Sequence, residues 1–501
     1  MTKITSQEIM VLSAKDFARG MATARDSQDG LFSPELPAGI NLTANPGVLY
    51  GQQPGTDMSP TTSGVFAAVC KGGGSDADLG FKNNYGITET GKFYSFNGTT
   101  WTNDVTDGSK TYIIPTTDII FYKEYIYCTS TDNITRGTMP ASTGGVGYNI
   151  TSINNTWGST TLGIGGLSTI DRHPMIIFED ILWIGDQNKL HKWDGTTATA
   201  SALVMGSDQN ITALGIDPSS GRMMIATTQG ANASGTTPRV NKISFWDGTS
   251  SKVLRAVEVD EMVTAFQIVG GTVYIVYGTN LGYWNGSGIS WLRSLSKVTF
   301  ASARLPYKHK MTCVGNTLFV TDNTMVLAYG SVLAGYPKVF YYVAGGTTGT
   351  LPINYINCIQ NVGGNNLGIF YTDGASANYI IKFPTKTIST GNGVSSYQNI
   401  YLSYITFKKK IRVKMIKLAF KEAVTTGKSP WAIICYGSDP NNYTYFKNSN
   451  PSTGDVYEIE YFPTSGTMLE LDDLSLRLIN GDTSDYTVGI RKITIYYDFV
   501  E

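Results

Sequence analysis

The chain has 501 residues, of which 55 are Gly and 30 are Tyr, while Asp, Glu, Lys and Arg together supply only 15%. Soluble domains average about 25% charged residues and about 7% Gly, so the chain is charge-poor and Gly-rich. Its 41% hydrophobic residues exclude wholesale disorder, and 38 basic against 39 acidic residues, a net charge of −1, argue against a free-standing nucleic-acid binder steered by its overall field.

At roughly 100–200 residues per domain the length allows several domains, or one large β domain with attachments. No stretch approaches the ~18 uninterrupted apolar residues of a membrane span, so none is expected. Met1–Glu8 lacks a basic region followed by an apolar one, so a cleaved secretion signal is not expected. Cys70, Cys128, Cys313, Cys358 and Cys435 are odd in number, far apart and without a CxxC spacing, which fits reduced thiols and argues against a disulfide framework or a Cys-based zinc site.

The first segment reads as a helix. Thr5 and Glu8 stand at the spacing of a capping box, and Ile9, Leu12, Phe17 and Met21 follow as a loose apolar stripe that stops in the turn-rich Arg25–Gly30. Between Leu31 and Gly64 stand Pro34, Pro37, Pro46, Pro54 and Pro60, a density that predicts an extended arm. Residues 1–63 are therefore read as a helix and docking arm, with Ile9, Leu12, Phe17 and Met21 as the candidate contacts.

From about residue 64 to 388 the sequence repeats. One mark is an aromatic residue, then Asn or Asp, Gly and a hydroxyl: Phe96–Thr99, Trp193–Thr196, Trp246–Thr249 and Trp284–Ser287. Asn-Gly and Asp-Gly favour the positive φ of a tight hairpin turn. The other mark is a short apolar run of β character, beginning at Ile126, Leu182, Met223, Val273, Leu318 and Leu367, so that neighbours stand 41 to 56 residues apart. The step from run to turn is 12 residues from Leu182 to Asp194 and again from Val273 to Asn285; the same step reaches Gly330 from Leu318, and back from Asn97 it reaches Tyr85. Short strands and turns at a period of roughly 40–50 residues predict a propeller of six or seven blades rather than a long irregular sandwich. Gln229–Pro238 reads as an inserted loop.

A Gly-rich linker near Ser389–Val394 ends the repeat. The segment 389–501 alternates apolar and polar residues, as in Lys410–Met415 and Lys492–Phe499, and predicts a C-terminal β-sandwich. The fold class is therefore all-β.

Candidate chemistry is sparse. Ser95–Trp101 looks like the structural box of sialidase propellers but is one residue short, and reads as a hairpin turn. Glu258, Asp260 and Glu261 cluster in sequence, where a solvated edge is the simpler reading than paired catalytic acids. His173 precedes Pro174 at a strand start, His309 sits between Lys308 and Lys310 in a basic loop, and no histidine shows metal-ligand spacing. Asp186–Asn188 is read as a hairpin tip rather than a calcium turn. Lys408, Lys409, Lys410, Arg412 and Lys414, with Lys417, form a basic run that reads as a charged edge strand, or as phosphate contacts if this face lines a DNA path; Pro306–Lys310 is a second basic stretch. No catalytic residue, metal site or cofactor is assigned, and the chain is read as non-enzymatic.

The helical and extended N-terminal arm, the Gly- and Tyr-rich propeller with Trp-Asp-Gly-Thr turns at Trp193 and Trp246, and a terminal β domain closing on Ile490–Tyr497 together resemble tailed-bacteriophage virion proteins, in particular the tail nozzle or hub proteins of short-tailed phages. The resemblance spans most of the chain in architecture and rests on repeat turns of low specificity; it carries over no residue. It implies a structural building block made in the host bacterial cytoplasm. It also implies assembly in a ring beside portal, adaptor or tail components, extending a DNA channel. The alternative is a carbohydrate-binding propeller for host attachment, using aromatic residues such as Trp101, Trp157 and Trp291.

Overall fold

The computed structural model describes residues 8–19, 31, 56–57, 66–72, 84–88, 93–96, 101–103, 118–123, 125–129, 134–138, 167, 173–229, 240–295, 307–321, 325–331, 337–345, 355–363, 366–372, 378–382, 398–402, 405–424, 432–437, 443–447, 456–464, 470–480 and 489–500. Two compact units are present, one of residues 57–324 with 353–382, the other of residues 1–56 with 325–352 and 383–501. Among the described residues nearly all regular structure is β-strand.

Among the described residues seven small antiparallel sheets follow one another. Blade 1 is Phe66–Lys71, Asn84–Thr88, Phe93–Phe96 and Trp101–Asn103; blade 2 is Asp118–Tyr122, Tyr125–Thr129 and Ile134–Thr138. Blade 3 is Met175–Phe178, Ile181–Asp186, Lys189–Trp193 and Ala198–Val204; blade 4 is Gln209–Asp217, Arg222–Gln229, Asn241–Trp246 and Arg255–Val259. Blade 5 is Val263–Val269, Thr272–Tyr277, Asn280–Trp284 and Ile289–Ser294; blade 6 is Met311–Val314, Thr317–Thr321, Met325–Gly330 and Val339–Gly345. Blade 7 is Tyr355–Gly363, Asn366–Thr372 and Asn378–Lys382, completed on its outside by Thr56–Asp57 from the start of the chain. The first strands touch in chain order, and Tyr355–Gly363 touches Phe66–Lys71, so the ring closes. The fold is a β-propeller, in which radial repetition leaves only short sheet edges.

Apolar side chains join blades 1 to 5 in turn and blade 7 to blade 1. Tyr85 stacks with Phe121 between blades 1 and 2, with ring centroids 5.9 Å apart. The Trp193 indole donates to the Tyr127 hydroxyl at 2.9 Å between blades 2 and 3. Trp183 and Trp246 meet edge to face at 5.0 Å between blades 3 and 4, and Phe245 meets Trp284 at 5.2 Å between blades 4 and 5. Phe66 and Phe370 join blades 1 and 7 at 5.2 Å, in a core shared with Val69, Cys358 and Val362. Second strands are covered on both faces by such layers, so Leu182–Asp186, Met223–Thr228 and Val273–Tyr277 are buried throughout, whereas fourth strands such as Arg255–Val259 are largely exposed or half-buried. That gradient makes the second strand the legible repeat: the six apolar runs and Tyr85 all fall on second strands.

The Asp-Gly turns close the third strands, but they are not two-residue hairpins. Trp193 pairs with Ala198 and Trp284 with Ile289, leaving four residues in each loop. Asp194 Oδ1 accepts from the Thr196 and Thr197 amides at 2.8 and 2.6 Å, and Asn285 Oδ1 accepts from those of Ser287 and Gly288 at 3.0 and 2.9 Å. The side-chain oxygen thus mimics a backbone acceptor, while Gly195 takes φ +103° and Gly286 φ +95°. These donors hold the Asp194 carboxyl down at about 2.

In the other unit eight strands are hydrogen-bonded into one sheet where a sandwich is expected. They are β1 (Glu8–Leu12), β2 (Gln398–Tyr401), β3 (Ile405–Val424), β4 (Ala432–Tyr436), β5 (Tyr443–Lys447), β6 (Val456–Pro463), β7 (Glu470–Asn480) and β8 (Ile490–Phe499), in the order β1-β8-β3-β6-β5-β4-β7-β2. A further pairing of β3 with β7 closes a circuit through β6, β5 and β4 around Ile416, Leu418, Tyr461, Leu474, Leu476 and Ile495, all fully buried.

The expected N-terminal helix is corrected here. Glu8–Leu12 is a strand, registered Glu8↔Tyr497 through Leu12↔Ile493 on β8. The Glu-Ile-Met-Val-Leu run gains more from sheet pairing than its loose helical spacing offers. A short helix follows as α1 (Ala14–Phe17), where the Ser13 amide donates to the Asp16 carboxylate at 2.9 Å; Thr5, the expected cap, lies outside the described residues.

Candidate functional site

The densest chemistry among the described residues lies where the inner strands of blades 2, 3 and 6 begin. Asp118 opens the inner strand of blade 2 and is fully buried. Its Oδ1 accepts from the Ile119 amide at 2.7 Å and from His309 Nε2 at 2.9 Å; its Oδ2 accepts from the Met175 amide at 2.8 Å and from Lys308 Nζ at 2.7 Å. Lys308 also donates to the Met175 carbonyl at 2.9 Å, and His309 Nδ1 lies 3.1 Å from the Val69 carbonyl. Lys308 and His309 therefore converge on one carboxylate. Burial alone would raise the Asp118 carboxyl, but the Lys308 charge and the His309 hydrogen bond outweigh it and hold it below its ordinary value.

Lys308 and His309 belong to a 3-10 turn, Tyr307–Lys310, that lies against the inner strands of blades 1, 5, 6 and 7 while its side chains reach those of blades 2 and 3. The turn thus lies where the inner strands converge. The basic loop expected around His309 is this turn, in which His309 and Lys310 are both buried.

The remaining two histidines join the same end. Thr129, the cross-strand partner of Asp118, donates to the His173 carbonyl at 3.0 Å. His173 Nδ1 stands 3.1 Å from the Gly185 carbonyl and 3.7 Å from Asp186 Oδ1. His191 Nε2 stands 3.5 Å from Asp186 Oδ2, and its Nδ1 accepts from the Ser201 amide at 3.0 Å. All three histidines of the chain are thus buried beside one of two buried aspartates. Asp186 ends its strand at a two-residue turn, with Gln187 at φ +51°, which is the hairpin tip expected of Asp186–Asn188. Among the described residues no group of three or more His, Cys, Asp or Glu is arranged to hold a metal ion. The Asp118 carboxylate is enclosed by structural donors, so its chemistry is to hold the Tyr307–Lys310 turn and tie blades 1, 2 and 3 to it.

The acids grouped in sequence lie elsewhere. Glu258 is on the outermost strand of blade 4, 3.7 Å from Lys242. Of the candidate sugar-stacking rings, Trp291 is exposed on the outer strand of blade 5, with its indole N–H 3.4 Å from Asn280 Oδ1. Trp101 opens the fourth strand of blade 1, and Trp157 lies outside the described residues.

The basic run lies on β3, which from Ile411 onward is paired with β8 on one side and with β7 and then β6 on the other, whereas Lys408–Lys410 stand in neither register. Arg412 pairs with Glu470 at 2.7 Å, Lys414 with Asp498, and Lys417 with Glu458 at 2.5 Å. Lys408, Lys409 and Lys410 are exposed. Of the candidate docking residues, Leu12 and Phe17 are buried, which corrects their reading as docking contacts; Ile9 is exposed, and Met21 lies outside the described residues. No helix among the described residues is long and apolar enough to cross a membrane.

No protein family matches the chain, and no curated protein matches its sequence. Solved structures are similar in fold at low identity. The Pan2 WD40 domain of Neurospora crassa is 10% identical, with 67% of this chain and 97% of that one covered and a TM-score of 0.39. An exo-β-1,3-galactanase of Phanerochaete chrysosporium is 9% identical, with 65% and 95% covered and a TM-score of 0.24. A glycoside hydrolase family 43 arabinoxylan arabinofuranohydrolase of Bacillus subtilis is 12% identical, with 90% and 96% covered and a TM-score of 0.24. These likenesses are of fold alone. They correct the non-enzymatic reading: glycoside hydrolases stand among the structures of similar fold, so the architecture gives no ground for excluding catalysis.

Proposed function

We propose that the chain is a building block of a tailed-phage particle, of the tail nozzle or hub kind, that associates with copies of itself and with neighbouring tail or portal components. The observation that carries this reading is an uncovered aromatic face. Tyr443 and Tyr445 alternate on the outer side of β5, and Phe462 of β6 lies on the same side, directly across from Lys447. The three rings are 43–48% exposed. Exposed aromatic groups of this kind mark interaction surfaces, and Tyr supplies contact area at small entropic cost.

The test is the solution mass of the full-length protein, alone and with particle components, beside Tyr443→Ser/Tyr445→Ser/Phe462→Ser. Association by the wild type that the triple variant loses supports the proposal; a wild type that remains a monomer with every component contradicts it. A second reading, glycan binding, is favoured by the exposed Trp291 beside Asn280 and Ser294. Glycan binding abolished by Trp291→Ala, in a protein that does not associate, would select it.

A further inference from the structure

Three consecutive lysines cannot all face solvent from a regular strand with one buried face, because successive side chains alternate between its two faces. On β3 they do. The β3–β7 register runs Ile405↔Leu474 and Thr406↔Asp473, then resumes at Ile411↔Leu471, so Phe407 and the three lysines together oppose Asp472 alone. This bulge of three extra residues lifts Lys408, Lys409 and Lys410 out of the sheet together, all of them exposed.

The excursion is held at both ends. Phe407 packs edge to face on Tyr497 with centroids 5.2 Å apart, and the Lys410 carbonyl accepts from the Val500 amide at 2.8 Å. The other cations of the run are neutralised by Glu470, Asp498 and Glu458. Lys408, Lys409 and Lys410 have no ion-pair partner among the described residues. Asp472, exposed, and Asp473, half-buried, are the acids of the facing strand at the bulge. The structure thus divides a basic run into paired cations that brace the sheet and three free ones presented on a fixed loop.

We infer that the Lys408–Lys410 bulge is a sequence-independent contact site for the phosphate backbone of a nucleic acid. Ammonium groups on flexible stems act as point charges, suited to a phosphate row rather than to base edges. The inference rests on the bulge and its free charge, not on the aromatic face, and stands whether or not the chain associates.

The test is titration of the full-length protein with labelled mixed-sequence duplex DNA at stepped salt, comparing wild type, K408Q/K409Q/K410Q, K408R/K409R/K410R and R412Q. Each phosphate contact contributes about 0.9 to the slope of log affinity against log salt, so the Gln triple flattens the slope by about 3 and weakens low-salt binding at least about tenfold. The Arg triple and R412Q keep the wild-type slope. Wild type that does not bind the duplex, a Gln triple that binds like wild type, or an R412Q loss equal to that of the triple would overturn the inference. So would lysine-dependent binding to phosphatidylglycerol vesicles without binding to the duplex.

Discussion

Asp118→Asn tests whether the Tyr307–Lys310 turn is held by charge. The amide keeps one oxygen for one pair of donors and turns an NH2 group toward the other, so either Lys308 and the Met175 amide or His309 and the Ile119 amide lose their acceptor. Removing one partner of a buried ion pair costs about 3–5 kcal/mol, because the partner is left desolvated and unpaired. Lys308 is about one-third exposed and can relax toward water, whereas His309 cannot, so the expected loss lies at the lower end, about 3 kcal/mol. Urea unfolding followed by tryptophan fluorescence reads it, since Trp183, Trp193, Trp246 and Trp284 are all buried in the propeller. The folded carboxyl lies below its unfolded value, so its stabilisation is complete above the unfolded value and is lost as pH falls through the folded one. The gap between wild type and variant should therefore narrow from pH 4 downward. A loss under about 0.5 kcal/mol at pH 7, the ordinary range of a surface substitution, would refute the reasoning. So would a gap that persists unchanged into acid.

Other expectations follow from the same geometry. Trp183→Ala and Trp246→Ala should each cost about 3–5 kcal/mol, with a coupling of about 0.5–1.5 kcal/mol in the double-mutant cycle; additive losses would mean that the contact between blades 3 and 4 contributes only area. Burial pushes the Cys70 thiol up to about 12 and raises those of Cys128, Cys358 and Cys435, while Cys313 is half-buried; a thiol reagent should reach Cys313 first in the native protein and the other four only on unfolding, as mass mapping of the labelled peptides would show. Deleting residues 1–12 strips β1 from β8 and should lower the melting temperature of the C-terminal unit while leaving the propeller transition in place; a single shifted transition would contradict this.

The propeller was legible because its repeat is local. Second strands such as Leu182–Asp186 and Val273–Tyr277 are covered on both faces and read as apolar runs, and the Asp194 and Asn285 turns carry their own acceptor and a Gly of positive φ. The N-terminal strand was not legible, because Ile9, Leu12 and Phe17 fit a helical spacing, while the partner that makes Glu8–Leu12 a strand lies nearly five hundred residues away on β8. The Asp118 cluster was hidden for the same reason: Asp118 meets His309 across 191 residues, and a His between two lysines reads as solvated. One signal was present, an Asp opening an otherwise apolar inner strand, Asp118–Tyr122. On β3 the sequence showed the positive charge but not its division, which depends on Glu470, Asp498 and Glu458 arriving from three other strands.

The most direct test of the assembly reading is the solution mass of the full-length protein, with and without particle components, beside that of Tyr443→Ser/Tyr445→Ser/Phe462→Ser. A closed oligomer, or a monomer that associates only with a particle component, is expected for the wild type and not for the variant. A wild type that stays a monomer throughout, or an oligomer that the variant forms equally well, would contradict it.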